Sequence, residues 1–383
     1  MSSIYTCRFA LRASHSLLTI SARRSTSKIP KQFHSAPART IMQTVKDKIA
    51  ENFGGSAHTA GSQNFALNEV PDLSGKVAIV TGGSEGIGYG CTHTLLSKNI
   101  EKLFIVSLKL ETGKDALEAL EDELGADARN RVEYIQMDLA DWSETAKVAS
   151  DIASKTDRID ILINNAARGI MTYQLAETNG IDLHMAINHF GHEVFTSHLL
   201  PTIKKTADAG HTVRIVNLSS NLHESCPSET KFESIEELNT DYGPNGQYAR
   251  TKLATLLHAK YLDKHLHSKY PNILVNATFP GIVDTAQTTT HVHEAYPLLG
   301  YGMSVLLKPF QKSQFEGCVS TMFAATTTDK SGQYICPPCI VEKGSDKAND
   351  MALAEQLMKL TREVTEQKTR PESSAKGCPF KDT

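Results

Sequence analysis

The chain has 383 residues, 40% hydrophobic and 22% charged, with a formal charge of −3, which suits one large globular domain with tails or two small domains. The first 46 residues carry eight basic side chains and no acid, leaving 32 basic against 43 acidic residues in the remainder, a formal −11; so acidic a body excludes nucleic acid as a partner, because phosphate contacts need clustered Lys and Arg. No run reaches the roughly 18 apolar residues that a membrane span requires.

Residues 8–24 can form a basic amphipathic helix around Phe9, Leu11, Leu17 and Leu18. Arg-rich, Ser-rich, acid-free composition without a long apolar centre is that of an organellar transit peptide, so 1–41 is assigned as a mitochondrial leader and linker, with Lys31-Gln32-Phe33-His34-Ser35 as the processing region. Translation from Met42 would remove the leader and give a cytosolic form. Met42, Val45, Ile49 and Phe53 recur at helical spacing and Gly54-Gly55 stops the helix, which makes 42–73 an arm before the main domain.

From Lys76 onward, short apolar runs alternate with helical stretches. Val77-Ala78-Ile79-Val80 is a buried strand, followed by Thr81-Gly82-Gly83-Ser84-Glu85-Gly86-Ile87-Gly88 and a helix. Strands are expected at 103–107, 132–137, 159–163, 213–218 and 273–278, with a short seventh at Tyr334-Ile335. Helices are expected between them, including 181–198 and the one that carries Tyr248 and Lys252. Leu353, Leu357, Leu360 and Val364 form one face of a last helix, and 366–383 is a polar, disordered tail. This alternation implies an α/β fold in three layers, a doubly wound parallel sheet covered on both faces, in a single catalytic domain over 74–365. Ligands of such sheets bind at the carboxyl ends of the strands, where every motif below falls.

The glycine turn follows a strand and opens a helix. Glycine there permits unusual dihedrals and a close approach of backbone to ligand, and the helix-start N–H groups suit a pyrophosphate. Its spacing, Gly-x-x-x-Gly-x-Gly, differs from the Gly-x-Gly-x-x-Gly of standard dinucleotide domains. Tyr248 and Lys252 are four apart and share a helix face. A free phenol, with a pKa near ~10, is a poor base, but an adjacent ammonium together with a nicotinamide cation lowers that value. Tyr248 can then exchange a proton with a substrate hydroxyl or carbonyl, and Lys252 can hydrogen-bond the nicotinamide ribose.

The glycine turn, Asp138-Leu139, Asn164-Asn165-Ala166-Ala167, Asn188-His189-Phe190-Gly191, Ser219-Ser220, Tyr248-x-x-x-Lys252 and Pro280-Gly281 occur in the order seen in the short-chain dehydrogenase/reductase family, which the chain resembles over about residues 74–365. The gap between Ser220 and Tyr248 and the stretch 180–201 resemble its retinol-dehydrogenase-like branch; the leader and the segment 42–53 resemble fungal blue-light-inducible mitochondrial members. The resemblance implies a Rossmann fold and a catalytic set of Asn188, Ser220, Tyr248 and Lys252. Ser220 would polarise the substrate oxygen, with Ser219 the competing assignment. Asn188 would break its helix locally and hold a water linking Lys252 to solvent.

For the cofactor, the resemblance implies contacts from Gly82, Ser84, Gly86, Ile87, Gly88, Asn165, Ala166, Ala167, Tyr248 and Lys252. Asp138 would bind the adenine amino group, with Leu139 against the ring, although an N-cap or turn role suits Asp138 equally. Val283 and Thr285 would hold the nicotinamide carboxamide. Cofactor choice turns on Ser107-Leu108-Lys109-Leu110, where an acid would select NAD. None stands before Glu111, and Lys109 or Lys114 can meet the extra phosphate, so NADP is favoured and NAD left open; either lysine can equally be a solvated charge.

The expected activity is reversible reduction of a carbonyl to an alcohol. The rival is a catalytically silent nucleotide-binding redox sensor or scaffold, which need not keep all four catalytic residues. Apolar residues in 286–312 suggest a lid over a lipophilic substrate, although core packing gives a similar composition. A homodimer fits the family, while the branch also includes monomers. Cys336-Pro-Pro-Cys339 lacks a second Cys or His pair, so it is taken as a loop with two thiols and no metal is expected.

Overall fold

The computed structural model describes residues 65–281 and 313–369. The leader 1–41, most of the arm, Val283, Thr285, the apolar stretch 286–312 and most of the tail lie outside the described residues.

Among the described residues the elements are β1 (Val77–Thr81), α1 (Gly86–Ser97), β2 (Lys102–Ser107), α2 (Leu110–Leu124), β3 (Val132–Gln136), α3 (Trp142–Ser154), β4 (Ile161–Asn164), α4 (His192–Asp208), β5 (Val213–Leu218), α5 (Gly243–Leu266), β6 (Ile273–Thr278), α6 (Val319–Thr326), β7 (Tyr334–Cys336), β8 (Ile340–Glu342) and α7 (Met351–Thr369). The eight strands form one sheet in the order β3-β2-β1-β4-β5-β6-β7-β8. β1 to β7 run parallel, and β8 returns antiparallel to β7, with Ile335 opposite Val341. The strand order reverses between β1 and β4, and a crevice opens at the carboxyl ends of these strands at such a reversal.

Alternate side chains of each strand enter opposite cores, as a two-residue period dictates. Ile79, Phe104, Val106 and Leu162 join one cluster with Trp142, Phe195, Leu199, Leu253, Leu257 and Leu357, from α3, α4, α5 and α7. Ala78, Val80, Leu103, Ile105 and Ile163 join the other with Leu95 and Leu96 of α1, Leu120 of α2 and Met322 of α6. Both faces are therefore covered, and the strands are apolar throughout for that reason. The end of the arm is part of the packing: Val70 and Leu73 are buried, and Phe65 lies edge-on to Phe323 at 5.4 Å.

Two elements differ from the sequence expectation. The helix expected over 181–198 is one turn (Leu183–Met185), a π-helical segment (Ala186–Gly191), which is the local break expected at Asn188, and then α4, which continues past His198 to Asp208 with Pro201 inside it. Proline in a helix interior costs about 3 kcal/mol, but Leu199, Leu200, Ile203 and Ala207 are buried around it, and such packing outweighs local propensity. The second is β8, which the sequence reading did not anticipate. It is only three residues long, half-buried to exposed at Ile340, Val341 and Glu342, and is paired through the turn that holds Cys336 and Cys339.

Candidate active site

The turn after β1 is shaped by steric necessity. Gly82 and Gly86 have φ of +63° and +52°, in the left-handed region that favours glycine. A Cβ on Gly88 would sit 2.1 Å from the Gly82 carbonyl oxygen and 2.5 Å from Asn165 Nδ2. Asn165 braces this turn: its Nδ2 donates to the carbonyls of Thr81 (2.9 Å) and Gly82 (3.2 Å). The Asn165 and Ala166 N–H groups donate to Thr81 Oγ1 at 2.9 and 3.1 Å. α1 then begins at Gly86 with no side-chain cap, leaving the first-turn N–H groups, those of Gly86, Ile87 and Gly88, to serve a ligand. A cradle that any Cβ would fill, opening onto an uncapped helix of twelve residues, fits a dinucleotide pyrophosphate.

Beside the cradle, Ser84 is buried and its hydroxyl donates to Ser107 Oγ at 3.0 Å, with Thr112 Oγ1 at 3.5 Å. Lys109 is exposed, immediately before α2. Tyr134 fixes the connecting loop by donating to the Ser107 and Lys109 carbonyls at 3.1 and 2.7 Å. After β3, one Asp138 carboxylate oxygen accepts the Ala140 N–H at 2.8 Å; the turn role weighed for Asp138 is thus present. Leu139 is buried, and Gly191 lies so near that a Cβ there would be 2.3 Å from the Leu139 carbonyl oxygen. Ala167 follows Ala166 at the end of β4, half-buried on the same rim.

The catalytic candidates converge at the ends of β4 and β5. Ser219 is spent on structure, its hydroxyl donating to the Lys252 carbonyl at 2.8 Å. Ser220 caps the 3-10 turn Asn221–Ser225, accepting the Leu222 N–H at 3.2 Å and donating to Asn221 Oδ1 at 3.3 Å, and this turn packs against α5, which carries the half-buried Tyr248. His223 Nε2 accepts the Ser345 N–H at 3.0 Å, so Nδ1–H donates to the Ser220 carbonyl at 2.6 Å and pins the loop. Lys252 Nζ lies 5.4 Å from the Tyr248 ring centroid and donates to the Leu218 carbonyl at 2.8 Å. Asn188 sits in the π-helical segment: its Oδ1 accepts the Arg168 N–H (2.7 Å), and its Nδ2 donates to the Arg168 carbonyl (3.0 Å) and to Thr251 Oγ1 (2.9 Å).

In the protein alone, burial pushes the Tyr248 phenol up to about 12, and the neighbouring Ser220 hydroxyl offsets only part of this; the lowering expected of Tyr248 belongs to the ammonium and a nicotinamide cation acting together. The Lys252 ammonium, itself pulled down to about 8 by burial, does not reverse the effect in the protein alone. Desolvation disfavours whichever form is charged, so Tyr248 is held as a neutral proton donor.

Several supporting residues escaped the sequence reading: Tyr134, Arg168, Thr251, His192 and His258. None belongs to a motif with a spacing of its own; each is defined by what lies beside it in space. For His192, Thr251 and His258 a polar or histidine side chain on the inner face of a predicted helix was the one signal available; Tyr134, on a strand, and Arg168, in a loop, offered none.

Comparison with known proteins identifies the family. A family model described as short chain dehydrogenase matches residues 76–229. The mitochondrial protein bli-4 of Neurospora crassa, named as an oxidoreductase, is 49% identical over 379 residues, covering 96% of this chain and 92% of its own. The chain belongs to the short-chain dehydrogenase/reductase family. Other members include a polyprenol dehydrogenase of Danio rerio, 31% identical over 71% of this chain and 80% of that one. Among solved structures, the RhlG/NADP active-site complex of Pseudomonas aeruginosa superposes with a TM-score of 0.51 at 22% identity, covering 69% of this chain and 95% of that one; this likeness shows the shared fold. Short-chain dehydrogenase/reductases bind NAD(P), and the cradle after β1 has a shape that fits such a group. The protein is an oxidoreductase of this family.

Proposed function

We propose that the protein interconverts a carbonyl and an alcohol with NADP(H), using Asn188, Ser220, Tyr248 and Lys252. The observation that carries this reading is the Lys252 ammonium 5.4 Å from the Tyr248 ring centroid on one face of α5, with Ser220 at the end of β5 packed against that helix, at strand ends beside the glycine cradle. When bound, the nicotinamide supplies or accepts a hydride. Ser220 donates a hydrogen bond to the substrate oxygen, and Tyr248 gives that oxygen its proton as negative charge develops on it. Lys252 stabilises the phenolate left behind, and Asn188 holds the 168 loop and Thr251 against α5. A phenol held protonated suits the reductive direction. Gly82, Ser84, Gly86, Ile87, Gly88, Asp138, Leu139, Asn165, Ala166 and Ala167 line the cofactor's path. The absence of an acid in 107–110, with Lys109 beside the Ser84–Ser107–Thr112 hydroxyls, favours NADP over NAD.

The names of the polyprenol dehydrogenase relatives in Danio rerio and Homo sapiens support a long lipophilic alcohol or aldehyde as the substrate class. NADPH oxidation measured across a panel of isoprenoid, aliphatic and aromatic carbonyls tests the reading. Turnover of a long-chain carbonyl that Tyr248→Phe abolishes is expected; tight NADPH binding with no turnover of any member would favour a silent nucleotide sensor. The seven basic residues and no acid before Met42, with the mitochondrial name of the Neurospora relative, support import into mitochondria. A fluorescent fusion of the full chain should enter mitochondria and one starting at Met42 should stay cytosolic; identical distributions would refute the targeting role.

A further inference from the structure

The turn that leads into the π-helical segment buries two polar side chains outside the catalytic set, Asp182 and His184. Asp182 caps this turn. Its Oδ2 accepts the Met185 N–H at 3.2 Å and the Arg250 guanidinium at 3.3 Å. Its Oδ1 is buried without a hydrogen-bond partner, and so is His184 Nδ1. These two atoms face each other at 3.5 Å, within reach of an ion pair. At the other edge of the ring, His184 Nε2 lies 3.1 Å from the Gly169 carbonyl oxygen. Buried polar atoms are normally satisfied, so two orphans opposite one another point to a proton between them.

The ring stands between two acceptors, which decides how many protons it needs. With a proton on Nε2 alone, the bare Nδ1 confronts a carboxylate oxygen. With a proton on Nδ1 alone, the bare Nε2 confronts a carbonyl oxygen. Only a ring protonated on both nitrogens serves both. The Arg250 guanidinium on the same carboxylate favours leaving the shared proton on the ring rather than on the oxygen. One carboxylate then faces two cations. The surplus positive charge is met by carbonyl dipoles: those of Glu237 and Leu238 accept from Arg250, and that of Gly169 accepts from His184. Tyr173, from the loop after β4, also feels Asp182 and Arg250, together with Asp241 just before α5.

What the ring holds bears on Asn188. The Asn188 side chain binds both the N–H and the carbonyl of Arg168, and His184 reaches the next carbonyl, that of Gly169. His184 and Asn188 are four residues apart, about one turn, so the two side chains grip successive peptide units of the loop after β4. The far end of that loop is tied separately: Tyr173 Oη donates to the Asn239 carbonyl at 2.8 Å, and the Leu183 N–H to the Gln174 carbonyl at 2.8 Å. We propose that His184 is a positioning residue for the reaction: held as an imidazolium between the Asp182 carboxylate and the Gly169 carbonyl, it fixes the loop against which Asn188 is set. His184 touches none of the reacting atoms and acts through Asn188.

The proposal rests on the reading of Asn188 as part of the catalytic set, but its decisive readouts need no substrate. In protein carrying isotope-labelled histidine, NMR correlations within each ring report which nitrogens are protonated. The His184 signals are assigned by their loss in His184→Leu, or by through-bond correlations if that variant does not fold. At about pH 7.5, where an ordinary histidine is mostly neutral, both His184 nitrogens should carry protons; a ring with one bare nitrogen overturns the proposal. The Asn188 side-chain amide signal should shift in His184→Leu. It should return most of the way in His184→Gln, which offers an N–H to the Gly169 carbonyl at similar reach. An unmoved amide, or equal shifts in the two variants, also overturns the proposal. With a carbonyl that the unaltered protein reduces, His184→Leu should lower kcat roughly tenfold, the scale of one hydrogen bond from a charged group, and leave NADPH affinity unchanged; weakened NADPH binding with kcat unchanged overturns the role. A protein that reduces no carbonyl refutes the activity instead, and the two NMR readouts then decide on His184 by themselves.

Discussion

In the proposed mechanism Tyr248 carries the most consequential chemistry on a single side chain. Its phenol is raised to about 12 by burial, so at neutral pH it stands ready to give a proton rather than take one. Tyr248→Phe keeps the ring and removes the acid. We expect turnover to fall by about 10²–10⁴-fold, the usual contribution of a general acid, with NADPH affinity retained by fluorescence titration; turnover within twofold of the unaltered enzyme would refute the role. Lys109 raises a different question, since an exposed lysine gains little from a solvated charge and acts only if a phosphate comes to it. Glu at both Lys109 and Lys114 should weaken NADPH far more than NADH. Equal weakening of the two in parallel titrations would remove the phosphate-site assignment.

At the scale of elements, the segment between β5 and α5 shows how the catalytic helix is held. Arg250, between Tyr248 and Lys252, is fully buried. It donates to the carbonyls of Glu237 (2.9 Å) and Leu238 (2.6 Å) and pairs with the equally buried Asp182 at 3.3 Å. One side chain thus ties the inserted segment and the turn before the π-helical segment to the helix of the catalytic pair. Removing one partner of a buried ion pair leaves a charge without compensation. Arg250→Leu should therefore lower unfolding free energy by about 3–5 kcal/mol, read from denaturant midpoints, and Asp182→Leu in the same chain should recover part of the loss. A change within the error of the midpoint would mean that the pair contributes nothing.

The same elements show where sequence reading succeeds. β1, β5 and β6 were legible because buried parallel strands are unbroken apolar runs, and the cradle because glycine spacing reports backbone geometry. The π-helical segment was legible only as the local break at Asn188 that the resemblance implied, because helical spacing alone does not reveal a changed hydrogen-bond register. The role of Arg250 was not legible, because an arginine inside a helix looks solvated until the insertion folds over it. Asn165 was placed beside the cofactor, yet its amide is committed to the Thr81 and Gly82 carbonyls; only the fold reveals that it acts by bracing the cradle.

For the whole molecule, the buried histidines set the response to acid. His192 is held at about 4, and His258 at about 3, by burial, with His189 and His223 also lowered by burial. In the unfolded chain each would bind a proton below about 6.5. Where the unfolded state binds more protons than the native one, stability rises with pH. These four groups therefore contribute stability that is present above about 6.5 and is lost as pH falls toward their folded values. Glu193 works in the opposite sense, since burial raises it to about 7; its contribution is present below about 4.5 and lost as pH rises through about 7. Between about 4.5 and 6.5 the unfolded chain gains protons on four histidines, while the native state keeps an extra one on a single glutamate, so the histidines win. The denaturant midpoint should fall steadily as pH is lowered through that window, and His258→Gln, which deletes one of the four titrating groups, should flatten the slope. A midpoint that stays level or rises on acidification would show that the histidine cluster is already charged in the folded protein, contrary to the burial that the structure gives it.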